Sequence, residues 1–147
     1  MTSIDDVRRL VGMDNGLASV TTQRADGTMQ ATVVNAGVLD HPISGDHVAA
    51  FVAQAGARKL AHLRRRPAIT VLWRAGWAWV SLEGSAILCG PDDVLDGVDD
   101  ERRRALLREV FTAAGGVHED WAEFDRVMAA EGRTVVLISP TKLYSNP

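Results

Sequence analysis

Apolar and polar positions change their period several times along the chain, and each change marks an element. Ser3 followed by Asp5 and Asp6 predicts a helix start, with acids in the turn where the dipole favours them, and the helix runs to about Val11. Leu17 to Gln23 is a strand by its β-branched content. Ala25-Asp26-Gly27 is a hairpin turn, Asp-Gly being among the strongest short signals for one. The return strand, Thr28 to about Leu39, places polar residues at Gln30, Thr32 and Asn35. A loop from Asp40 to Asp46 leads into a nearly all-apolar strand, His47 to Ala53.

Ala57 to Arg65 is helical by the spacing of Ala57, Leu60, Ala61 and Leu63, and Pro67 ends it. Ala68 to Arg74 is a buried strand, Ala75-Gly76 a tight turn, and Trp77 to Gly84 a second strand reaching about Cys89. Pro91 to Gly97 is a loop with room for one helical turn. Asp99 or Asp100 caps a helix to Ala114, stopped by Gly115-Gly116, with Leu106, Leu107, Val110 and Phe111 as its apolar face. A last helix spans about Glu119 to Ala130 and buries Trp121, Phe124 and Met128. Arg133 to Ile138 is a strand broken by Ser139-Pro140, with Lys142 to Tyr144 continuing beyond. About six strands with turn signals between them, and no βαβ alternation, predict one mainly β (α+β) domain over 1–147, an antiparallel barrel with flanking helices.

Composition narrows the classes of function. With 46% hydrophobic and 24% charged residues the chain is an ordinary globular one, and its formal charge of −3 argues against general nucleic-acid binding. No apolar run approaches the roughly 18 residues of a membrane span. Met1 to Asp6 is acidic and polar, so no signal peptide is expected, and the lone Cys89 suits a reducing cytoplasm. His41, His47, His62 and His118 lack metal-ligand spacing, and no nucleophile signature, Gly-x-Gly-x-x-Gly or P-loop is present. An enzyme built this way needs a cofactor for its hard step.

Two features carry candidate chemistry. Arg58 and Lys59 stand in the first turn of a helix, where the unpaired N–H groups and the dipole already present positive charge. The pair is either solvated or shared with an arriving anion such as a phosphate. Trp77 and Trp79, two apart on a strand, and Trp73 across the turn are either core or one wall for a flat ring.

The order strand, small residues, Arg58-Lys59, Leu60, Leu63, Pro67, apolar strand, Trp73 resembles the phosphate-binding segment of the pyridoxamine-phosphate-oxidase-like split β-barrels. Trp77 to Gly84, Gly116 to Trp121 and the Val135 to Tyr144 strand resemble one branch of it, the actinobacterial oxidoreductases that use the deazaflavin F420. The likeness runs from about Gly16 to Tyr144. It implies a split barrel, a homodimer with each cofactor at the subunit interface, and hydride transfer between F420 and a small organic acceptor, in the reductase direction. It lays Thr32, Val33, Val34 and Asn35 along the ring and the amides of Val52 and Ala53 against the ribityl-phosphate. The flavin oxidases place hydroxyl-bearing residues at Val52-Ala53 and a basic residue within Ala31-Thr32-Val33. These departures favour F420 over FMN. An FMN enzyme and a carrier without turnover are the other readings, and no catalytic acid or base is named. Arg64, Arg65 and Arg66 complement the dipole at their helix end, with an acidic cofactor tail as a second use. Glu83 is expected to pair with one of them or with Arg74.

Overall fold

The computed structural model describes residues 1–147. Four helices and six strands follow one another as α1 (Ile4–Met13), β1 (Leu17–Gln23), β2 (Met29–Asp40), β3 (His47–Ala53), α2 (Arg58–Arg65), β4 (Ala68–Ala75), β5 (Ala78–Cys89), α3 (Asp100–Ala113), α4 (Trp121–Ala130) and β6 (Thr134–Ser145). The strands close into a barrel in the order β1-β2-β3-β6-β5-β4, every pair antiparallel. Closure removes the free edges that an open sheet would expose.

Strand alternation sorts the side chains into two cores. Val20, Phe51, Val71, Trp73, Leu82, Val136 and Ile138 fill the barrel, and α1 and α2 add Val7, Leu10, Leu60 and Leu63 to the same cluster. α1 leads directly into β1, whereas α2 reaches the far end of that strand, where His62 Nδ1 meets Thr22 Oγ1 at 2.9 Å. Outside the barrel, Val48, Ala50, Cys89, Val135 and Leu137 turn to Leu106, Leu107 and Val110 of α3 and Phe124 of α4. Cys89 is thus a buried apolar residue, its thiol pushed up by burial. α3 and α4 are held together by Arg108, whose guanidinium binds both oxygens of Asp125, keeps that carboxyl below the usual carboxylate range, and lies 5.4 Å from the Trp121 ring centre.

Several boundaries differ from the sequence reading. α4 starts at Trp121, because the Asp120 side chain accepts from Glu123 N and His118 Nδ1 accepts from Asp120 N. β6 runs through Pro140 without a break: the register slips between Glu83 and Gly84, and the extra Thr141 donates its hydroxyl to Glu83 O. The segment after Cys89 holds a single bridge, Gly90 with Asp93, and no helical turn. Glu83 makes no pair with an arginine; Tyr144 Oη donates to its Oε2 at 2.7 Å. No helix is long and apolar enough to cross a membrane.

Candidate functional site

The barrel is not paired along its whole height. β2 and β3 match from Asp40↔His47 to Ala36↔Phe51 and no further, while β2 continues back to Met29 against β1 and β3 continues to Ala53 against β6. Val33 to Asn35 and Val52 to Ala53 therefore form the arms of a fork. The open arms hold a cavity of about 740 Å³.

Helices complete its walls. Gly37, just below the fork, lets α3 lie directly on β2: a Cβ there would stand 2.3 Å from Ala113 O. Val110, Phe111 and Ala114 of the α3 end, the Gly115–Val117 link, and Phe124 and Met128 of α4 form the wall opposite the strands. Phe111 and Phe124 are fixed by ring contacts at 5.0 Å to each other and at 6.1 and 5.2 Å to Trp121. The lining is thus mainly apolar with few polar groups, the usual make-up of a small-molecule site.

The cations stand past the end of β3. Lys59, half-buried in α2, lines the cavity and makes no ion pair; burial alone holds its pKa below the usual lysine value. Ala57 caps α2 without a side-chain bond and no acid occupies the first turn, so the helix N-terminus adds uncompensated N–H groups beside this ammonium. Arg133, at the start of β6, lines the same space. It is held by Nε to Glu131 Oε1 at 3.1 Å, and Glu131 also takes Gln54 Nε2 at 3.0 Å. Only its position beside the β3 end brings Arg133 here, which nothing local in the sequence signals.

The residues singled out in the sequence divide. Val33, Val34, Asn35, Val52, Ala53 and Lys59 come together in the cavity wall. Thr32, on the other face of β2 from Val33, and the exposed Arg58 do not line it. Nor do Trp77 and Trp79. Trp77 is 93% exposed and belongs to the β4–β5 turn, so it does not share a strand face with Trp79. Trp73 is 1% exposed inside the barrel and donates Nε1–H to Ala36 O at 3.0 Å; it is core, not a ring wall. Arg64 is occupied by both oxygens of Asp93, and Arg65 and Arg66 do not reach the cavity.

No protein-family model and no curated protein matches the chain. Solved structures do. A conserved hypothetical protein of Mycobacterium tuberculosis aligns at a TM-score of 0.69 and 20% identity over 99% of this chain and 84% of that one. An F420 reductase aligns at 0.61 and 14% identity, covering 93% of this chain and 94% of the other. A pyridoxamine 5′-phosphate oxidase-related, FMN-binding protein of Nostoc punctiforme aligns at 0.61 and 11% identity over 96% and 80%. The fold is that of the pyridoxamine-phosphate-oxidase-like split barrels.

Proposed function

We propose that the fork cavity binds a phosphate-bearing, flavin-type cofactor, that this cofactor is the deazaflavin F420, and that the chain is an oxidoreductase acting on a small organic acceptor. One observation carries the reading: Lys59 is a half-buried ammonium without a counter-ion, beside an uncapped helix N-terminus, in a cavity lined mainly by apolar residues and by no carboxylate. Burying a charge without a partner is unfavourable, so the arrangement fits an anion that arrives with a ligand. The residues present fit such a group. Apolar walls suit a ring system, and the cations at one end suit its phosphate.

When bound, reduced F420 supplies the hydride. The protein's own part is positional. Lys59 and the α2 amides hold the phosphate, Val33, Val52 and Phe111 exclude water from the ring, and Arg133 offers a second positive charge. No carboxylate or histidine lines the cavity, so this chain brings no acid or base of those types to the ring from its own wall.

The surface supports a site shared between two copies. Val33, Ser19, Leu72, Ser81 and Tyr144 are successive register partners across five strands, and no helix of the chain covers the exposed members of this row. A second copy seated on this face would border the cavity at Val33, and the assignment of Trp77 and Trp79 to the ring rests on such a copy. The hydroxyl-free Val52-Ala53 pair supports F420. FMN remains the second reading, favoured by an FMN-binding neighbour as similar in fold as the F420 reductase. Titrating the purified protein with each cofactor decides between them. Tighter binding of FMN overturns the F420 assignment, and binding of neither overturns the cofactor reading. Turnover of reduced F420 with a panel of enones and quinones then separates an enzyme from a carrier.

A further inference from the structure

Asn15 is the one non-glycine residue with a positive φ, +54°. It follows Asp14, the C-cap of α1, and Gly16 N–H closes back onto Val11 O at 3.0 Å, so Asn15 occupies the left-handed position that ends the helix. Glycine fills that position with least strain. The exposed asparagine side chain makes no hydrogen bond within the chain, and the residue lines the cavity.

Its neighbour is oriented. Asn35 Nδ2 donates to Asn15 O at 2.8 Å, which fixes the amide and leaves Asn35 Oδ1 as an unused acceptor. The two amides stand where β2 parts from β3. Gln54, Lys59 and Arg133, the other polar side chains of the wall, lie past the end of β3. The cavity therefore has a cationic end and a neutral amide end. The amide end offers an acceptor from Asn35 and a donor from Asn15, the complement of a cyclic imide, whose N–H is flanked by two carbonyls. Isoalloxazine and deazaflavin rings both carry that edge.

We propose that Asn15 and Asn35 recognise the imide edge of the bound ring, with Asn35 Oδ1 accepting its N–H and the Asn15 amide donating to an adjacent carbonyl. The proposal rests on the flavin-type reading of the cavity, and wild type is therefore titrated first, with FMN and with F420. Binding of neither overturns that reading and this one together. Where one binds, Asn15→Gly keeps the left-handed backbone and removes only the amide. It is expected to weaken that ligand roughly two- to tenfold, the loss of one neutral hydrogen bond, while the melting temperature of the empty protein stays level or rises. Asn15→Asp, which also tolerates this backbone, turns the donor into a charged acceptor facing a carbonyl, and is expected to weaken binding further. The ligand methylated at the imide nitrogen should bind wild type about tenfold more weakly than its parent. If Asn15→Gly binds as wild type does, Asn15 is merely a helix terminator and the proposal is overturned. Equal binding of the methylated ligand by wild type overturns the Asn35 half.

Discussion

Lys59→Met is the most informative single change. Methionine keeps an unbranched apolar stem in the space of the lysine stem and removes the charge alone. In the empty protein no carboxylate loses a partner, because burial is the only influence on this ammonium. With a phosphate present, the change deletes a charge-assisted bond contributing roughly 1.5–3 kcal/mol, so cofactor affinity should fall about ten- to hundredfold by fluorescence titration. Raising salt should weaken wild-type binding more than the variant's. Stability should move the other way. Burial lowers the Lys59 pKa in the folded state, so the folded protein holds this proton less readily than the unfolded chain. The cost is full below the folded value and gone above the usual lysine value. Denaturation at neutral pH should find the empty variant as stable as wild type or more so, and any advantage should shrink as pH rises through that window. Arg65→Met, outside the cavity, should change neither quantity. A Lys59→Met protein that binds cofactor as wild type does would refute the anion site and remove the observation on which the functional reading stands.

Three further outcomes are expected. Leu72→Glu places a charge in the middle of the uncovered sheet face and should turn a micromolar dimer into a monomer by sedimentation, with weaker cofactor binding; a wild type that binds tightly as a monomer rules out a shared site. Trp73→Ala should cost about 3–5 kcal/mol in urea unfolding, whereas Trp77→Ala should stay within about 0.5 kcal/mol, and the reverse order would contradict their burial. Gly37→Ala must push α3 away from β2, so a loss of about 1–3 kcal/mol together with reduced cofactor affinity is expected; an unchanged variant would show that α3 does not set the cavity wall.

The strands could be read because local chemistry sets them. Asp26-Gly27 makes the β1–β2 turn, and the apolar run from Val48 to Ala53 makes a strand that packs on both faces. The continuity of β6 could not be read, because Pro140 is tolerated only through a register shift on the neighbouring strand. The site was half legible. Lys59 betrays itself as a cation in the first turn of a helix, a purely local conflict. Arg133 does not, since what matters is which strand β6 pairs with. Asn15-Gly16 after an apolar-periodic helix was an available signal for a left-handed terminator, yet its meaning depends on Asn35, twenty residues away. Trp77 was misplaced because strand alternation holds only inside a strand, and the turn reaches one residue further than the sequence suggests.

The fork has a consequence for how such a site can change over generations. Where β2 and β3 part, the facing backbone groups of Val33 to Asn35 and Val52 to Ala53 lose their ladder partners, and a ligand lying between the arms can take up those peptide donors and acceptors. Peptide groups are the same whatever side chains they carry. A pocket read in this way can exchange most of its lining by neutral drift while its oldest contacts persist, provided the arms stay apart. Such a lineage would keep its architecture long after its residues had diverged.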